Sequence, residues 1–258
     1  MSAPRPAVAR TAIVSAMAQE LAGLLALVEG AETVQRGRRR FVLGRLDGHE
    51  VVLVLSGIGK VAAATTATLL LSEFGVRRLL FTGVAGGVGP AVRVGDIVVA
   101  DALLQHDMNA SPLFPRFEMP LYGLDRFAAD PLLADAAGAA ALWALADTGA
   151  AAGAGEGEGE AAQRVHRGLV VSGDTFVCSG AACRALQADL PQALAVEMEG
   201  AALAQVCHDL GAPFAVVRTV SDRADDDAHV DFERFIAERA SRYSVAIARR
   251  WLAALPPA

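Results

Sequence analysis

The feature that most limits what this chain can fold into is a series of short apolar runs, each breaking off into glycine-rich or acidic sequence. Residues 11–17 form the first, and Leu21, Leu24, Leu25 and Val28 then recur at helical spacing through 19–28. Residues 41–45 and 51–55 flank Asp47-Gly48, a hairpin signal. Ser56-Gly57-Ile58-Gly59-Lys60 turns the chain into a helix from 61 to about 74, with Gly75 placed as its C-cap. Runs at 78–82, 97–104, 169–172, 193–196 and 214–217 read as further strands. Helices are expected over 132–150, about 180–189 and 232–255. Strands that alternate with helices, interrupted by one hairpin and two adjacent strands, predict a single three-layer α/β/α domain with a mixed central sheet. The domain is read as 1–258, with 1–10 as an N-terminal tail. Residues 151–160, which contain Gly155-Glu156-Gly157-Glu158-Gly159, are read as a flexible low-complexity insertion.

Composition narrows the partners. Apolar residues make up 53% of the 258 but aromatics only 5%, so a large core must be built from Ala, Val and Leu. The net charge is -6, and the one dense basic run, Arg36-Gly37-Arg38-Arg39-Arg40, reads as a solvated turn entering a strand. Nucleic acid is therefore not an expected partner. Cys178, Cys183 and Cys207 are odd in number and lack C-x-x-C spacing, which argues against disulfides or a zinc site and for a reducing cytoplasm. Ala16-Met17-Ala18 imitates a secretory cleavage site, but the apolar run before it is short, holds Thr11 and Ser15, and leads directly into a periodic helix. No run reaches the ~20 apolar residues that span a bilayer, so no membrane partner is expected.

Several strands end in polar or glycine-rich sequence: Met17-Ala18-Gln19-Glu20, Ser56 to Gly59, Gly83 to Gly87, Gly173-Asp174-Thr175-Phe176, Glu197-Met198-Glu199 and Arg218 to Asp222. If those strands are neighbours, the ends meet in one crevice, where α/β sheets bind ligands. Glu197-Met198-Glu199 is the sharpest case, two acids flanking a methionine where a strand runs into a helix. The competing reading is an acidic first turn favouring the helix dipole. The glycine turns match neither a P-loop nor a dinucleotide fingerprint. The segment 108–123 sets Phe114, Phe117 and Tyr122 among three prolines, which suits a lid or subunit contact, or a loop packed on its own domain.

These motifs, together with Val94-Gly95-Asp96-Ile97-Val98 and Val217-Arg218-Thr219-Val220-Ser221-Asp222, resemble 5'-methylthioadenosine/S-adenosylhomocysteine nucleosidase. That family has the purine nucleoside phosphorylase fold, and the resemblance runs in order over roughly residues 11–255. It implies hydrolysis of an adenine N-glycosidic bond, releasing adenine and a 5-thioribose. Such a bond breaks through oxocarbenium character on the ribose and negative charge on the base. An acid at the base and a second carboxylate activating water meet those needs. By resemblance Asp222 protonates purine N7, with Ser221 beside it, and Glu20 polarises the attacking water with Arg218 nearby. Met198 and Glu199 contact the ribose, Phe176 stacks on adenine, and the Val177 backbone bonds the base edge. Ala85 and Gly86 bring backbone close to the ligand, and Met17, Ile58 and Phe232 line a 5'-alkylthio pocket. The resemblance implies a homodimer and no metal or cofactor. Taken singly, Asp222 and Ser221 also suit a turn cap, Glu20 a helix first turn, and Phe176 the core. Arg218 equally suits a structural pair with either glutamate, and Glu197 a structural salt bridge as well as a ligand contact.

Three other functions fit the same fold. A phosphorylase would need cationic and hydroxyl donors for phosphate. Glu20, Phe81 and Val84 stand where the similar phosphorylases offer arginine or a hydroxyl, which favours water as the nucleophile. Val84 also departs from nucleosidases that carry serine there. An aminodeoxyfutalosine hydrolase would share the core residues and differ in the pocket loops. A non-catalytic nucleoside binder is disfavoured because both Glu20 and Asp222 are present.

Overall fold

The central strands are apolar on both sides because both sides are covered. The computed structural model describes residues 8–147, 162–226, 228–229, 232, 235 and 240–256. All nine residues of β10 (Phe214–Asp222) are buried, and in β5 (Val76–Gly87) only Arg77, Arg78 and Val84 are not. β1 (Arg10–Ser15) lies between β5 and β4 (His49–Leu55), parallel to both. β4 continues antiparallel to β3 (Arg39–Leu46), and β3 to β2 (Glu29–Arg36). The β3–β4 turn is at Asp47-Gly48, both at positive φ, as its sequence demands.

On the other side of β5 the sheet closes on itself. β10 pairs parallel with β5 and antiparallel with β6 (Ile97–Gln105). β6 runs parallel to β8 (Val165–Ser172), and β8 to β9 (Ala193–Glu197). β9 then returns antiparallel to β5 at Gly86 and Gly87, completing a ring of five strands. β7 (Arg126–Ala128) pairs with β6. Closure falls where β5 carries glycines: a Cβ on Gly87 would lie 2.9 Å from Val220 Cγ1. The alternating pattern predicts the mixed sheet but not this ring.

Helices α1 (Ala18–Leu25) and α3 (Pro131–Asp147) pack against α6 (Ala240–Ala253), while α2 (Lys60–Glu73) packs against α5 (Gly200–Asp209). Helix α4 (Gly180–Asp189) covers a second apolar cluster through Cys183 and Leu186, giving the expected three layers. Trp251 of α6 is fully buried and its Nε1 donates to the Leu133 carbonyl at 3.0 Å. Burying such a ring contributes on the order of 4 kcal/mol at ~25 cal/mol per Å².

Two strands escaped the sequence reading. β2, with the sequence EGAETVQR, is an exposed edge that uses charge instead of apolar alternation, a common protection against edge pairing. β7 is only three residues long. The expected insertion at 151–160, residues 1–7 of the tail and most of the 227–239 stretch lie outside the described residues.

Candidate active site

β1, β4, β5 and β10 are mutually parallel, so their C-terminal ends open on one side of the sheet. A cavity of about 420 Å³ lies there. Of the residues expected at a site, Met17, Glu20, Ile58, Ala85, Gly86, Phe176, Met198, Glu199, Ser221, Asp222 and Phe232 line it; Val177 and Arg218 do not. Ala16, Val84, Val196, Glu197 and His229 complete its wall. His229 carries no mark in the sequence, being a single polar residue after the acidic run Asp225-Asp226-Asp227.

Glu20 stands in the first turn of α1, as its helix-capping reading required, and also faces the cavity. Its Oε2 accepts from the Ala16 and Met17 N–H groups at 3.0 and 2.9 Å, while Oε1 accepts from Val84 N–H at 3.1 Å. A Cβ on Gly83 would lie 3.1 Å from Oε1, so the missing side chain admits the carboxylate against β5. Burial pushes Glu20 above the ordinary carboxylate range, against the pull of its backbone donors and of Arg218.

Asp222 ends β10 after a register shift between Val220 and Asp222, an irregularity that re-aims strand-end side chains. Its Oδ1 accepts from Ala224 N–H at 2.9 Å, and its Oδ2 lies 2.7 Å from Ser221 Oγ. Asp222 pairs with Gly86 across β5 and β10, whereas Glu20 sits against Gly83. The two acids therefore meet β5 at points three residues, roughly 10 Å, apart along the strand.

The two acids around Met198 have different jobs. Glu197 accepts from the Gly200 N–H with both oxygens, at 3.0 and 2.9 Å, and so caps the N-terminus of α5. It also bonds Ser172 Oγ and pairs with Arg218 Nη2 at 2.8 Å. Arg218 is fully buried. Its Nη1 donates to the Phe81 and Val217 carbonyls, and its guanidinium carbon lies 4.2 Å from the Phe81 ring centroid. Phe81 thus lies against Arg218 and does not line the cavity.

Glu199 turns the other way and accepts from Gly59 N–H at 2.8 Å. Burial, then the nearby Glu197 charge, push its pKa up to about 7, against the pull of that N–H and of Arg218. Lys60 N–H donates to Asp174 Oδ1 at 2.7 Å. Carboxylates of the chain itself therefore take two amides of the 56–60 turn, which leaves it a strand-to-helix turn and not a phosphate cradle. Gly57 and Gly59, at φ 77° and 96°, supply the left-handed backbone it needs.

The aromatic end of the cavity is open. Phe176 is 41% exposed and meets Phe232 edge-on, centroids 5.7 Å apart. Val177, next to it, packs instead on the cluster under α4. Among the described residues no group of three or more His, Cys, Asp and Glu is placed to hold a metal ion.

Residues 10–253 match the Phosphorylase superfamily. A nucleosidase for 5'-methylthioadenosine and S-adenosylhomocysteine from Neisseria meningitidis, solved with methylthio-immucillin-A, is 36% identical; the match covers 95% of this chain and 99% of that one, with a TM-score of 0.83. The S-adenosylhomocysteine nucleosidase of Streptococcus pyogenes, solved with 5-methylthiotubericidin, is 33% identical over 98% and 100% of the two chains, with a TM-score of 0.82. The futalosine hydrolase of Helicobacter pylori strain 26695 is 29% identical over 96% and 99%, also with a TM-score of 0.82. Full-length likeness at this identity, together with a paired-acid cavity at the strand ends, makes the chain a member of the 5'-methylthioadenosine/S-adenosylhomocysteine nucleosidase family within the phosphorylase superfamily.

Proposed function

We propose that this protein hydrolyses the N-glycosidic bond of an adenine nucleoside bearing an apolar 5' substituent, with 5'-methylthioadenosine and S-adenosylhomocysteine as the substrate class. The observation that carries this is one cavity holding Glu20 and Asp222 at separate points along β5, with apolar side chains elsewhere on its wall. Asp222 delivers a proton to N7 as negative charge grows on the base, held in orientation by Ala224 N–H and Ser221. Glu20, whose affinity for protons is raised by burial, takes the proton of the attacking water. Met198 and Glu199 hold the ribose, and the carboxylate stabilises the developing cation. Phe176 stacks on adenine, while Ala85 and Gly86 give a floor without bulk; Val177, which lies outside the cavity wall, takes no part. Met17, Ile58 and Phe232 receive the 5' group. Arg218 acts from behind the wall, its charge drawing Glu20 and Glu199 towards ionisation.

The chain works as one catalytic unit, and two copies are expected to pair. Support for pairing comes from exposed Ile58, Val61, Leu113 and Leu121 on the cavity-mouth turn, its helix and the aromatic loop. A monomer retaining full activity in sedimentation would contradict it. The three free cysteines suit a reducing cytoplasm, where salvage of methionine from such nucleosides would place the enzyme. The likeness to futalosine hydrolase supports a second reading, in which aminodeoxyfutalosine is the substrate.

Adenine release from 5'-methylthioadenosine in phosphate-free buffer tests the main reading. Asp222→Asn is expected to lower kcat by about 10²–10⁴-fold. Undiminished release by that variant, or a requirement for phosphate, would overturn it. Preferential turnover of aminodeoxyfutalosine would select the second reading.

A further inference from the structure

Ile58 and Phe176 face the cavity from different loops, and both are too exposed, at 61% and 41%, to be held by core packing. A closed ring of hydrogen bonds joins the two loops. Lys60, two residues after Ile58, donates its backbone N–H to Asp174 Oδ1 at 2.7 Å. Asp174, two residues before Phe176, donates its own N–H to Asp107 Oδ2 at 2.9 Å. Asp107 Oδ1 then accepts from Lys60 Nζ at 2.6 Å, which returns the ring to its start. Lys60 Nζ also donates to Gln105 Oε1 at 3.2 Å. Gln105 Nε2 continues to Gln205 Oε1 at 2.8 Å, and Gln205 Nε2 to the Tyr122 hydroxyl at 3.3 Å, so the aromatic loop is tied in as well.

We infer that Lys60, Asp107 and Asp174 form a polar latch that sets the distance between the Ile58 wall and the Phe176 platform, making Lys60 a positioning residue for 5'-group selection. The inference rests on the nucleosidase reading of the cavity. The charged pair is partly sheltered, with side-chain exposures of 17% for Lys60 and 31% for Asp107, so it is less screened than an ion pair in open water. Burial works against ionised Asp107, yet Lys60 and the Asp174 N–H hold its carboxyl below the ordinary range. Neither Lys60 nor Asp107 lines the cavity, and they act only through the loops they hold. A nucleoside with an alkylthio group presses against Ile58, whereas 5'-deoxyadenosine is shorter there and depends on that wall less.

The test compares wild type with Lys60→Met, which keeps the aliphatic stem, and with Asp107→Asn. Steady-state kinetics on 5'-methylthioadenosine and on 5'-deoxyadenosine, thermal unfolding, and amide exchange over 57–60 and 174–177 are measured for each. Lys60→Met removes the Nζ contacts to Asp107 and Gln105 and is expected to raise KM for 5'-methylthioadenosine about tenfold, with kcat changed less than about threefold. The preference for 5'-methylthioadenosine over 5'-deoxyadenosine should fall by a similar factor, and both segments should exchange faster. The double variant should add little to either single one, because both break the same ring. An unchanged preference ratio, or equal losses on both substrates in step with lost stability, would overturn the latch. Unchanged exchange would overturn it whether or not the protein turns over either nucleoside. Absence of adenine release from wild type, with exchange altered as expected, would instead overturn the nucleosidase reading alone.

Discussion

Replacing Glu199 with glutamine isolates the cost of holding one buried carboxylate beside another. Glu199 is 6% exposed, and burial followed by the Glu197 charge raises its pKa from 4.5 to about 7. At ~1.4 kcal/mol per pH unit, that gap corresponds to roughly 3 kcal/mol. Between these two values the folded protein keeps a proton that the unfolded chain has released. The group's contribution to stability is therefore full below pH 4.5 and is lost as pH rises through about 7. Glutamine keeps an oxygen for Gly59 N–H, which donates at 2.8 Å, and cannot ionise. Urea unfolding of both proteins from about pH 5 to about pH 8 provides the assay, with the difference in unfolding free energy plotted against pH. Groups other than Glu199 and those coupled to it largely cancel in that difference. The variant should gain on wild type by roughly 2–3 kcal/mol across the range, with most of the change below about pH 7. A flat difference, or one that moves in favour of wild type as pH rises, would refute the account of Glu199.

Two other substitutions probe the site's foundations. Glu197→Ala leaves Arg218 buried without its carboxylate and α5 without its cap, and should cost about 3–5 kcal/mol in urea unfolding; a loss under about 1 kcal/mol would mean the pair carries little structural weight. Gly86→Ala would set a Cβ 2.9 Å from Asp222 Oδ1 and 3.0 Å from Ala224 Cβ. It should lower kcat/KM at least about tenfold while costing about 1–3 kcal/mol in stability, and an unaltered kcat/KM would remove Asp222 from its role as acid.

Much of the cavity's polar lining is legible in the sequence because those residues stand where strands end. Glu20, Ser221, Asp222, Met198 and Glu199 are each flagged by a polar break after an apolar run, and all five line one cavity. The Asp47-Gly48 turn and the glycines of the 56–60 turn were equally plain, since their backbone angles are a local requirement. Arg218 was legible only as two alternatives, a cavity residue or a structural partner of a glutamate, and the Glu197 carboxylate and the Phe81 ring hold it beneath the wall. His229 went unnoticed because a single polar residue after an acidic turn has no local reason to face a ligand.

What the sequence determined by itself is therefore most of the strands, the turns between them and the polar groups at their ends. Those depend on side-chain periodicity and backbone stereochemistry within a few residues. Tertiary structure alone decided that the sheet closes into a ring at Gly86 and Gly87, and that Glu197 caps α5 and pairs with Arg218 while Glu199 holds the 56–60 turn. It alone joined Gly59 to Glu199 and Lys60 to Asp174, pairs 140 and 114 residues apart. The physical reason is that burial and pairing are sums over everything nearby in space. No local pattern can state which carboxylate will lose its water and which will find an arginine.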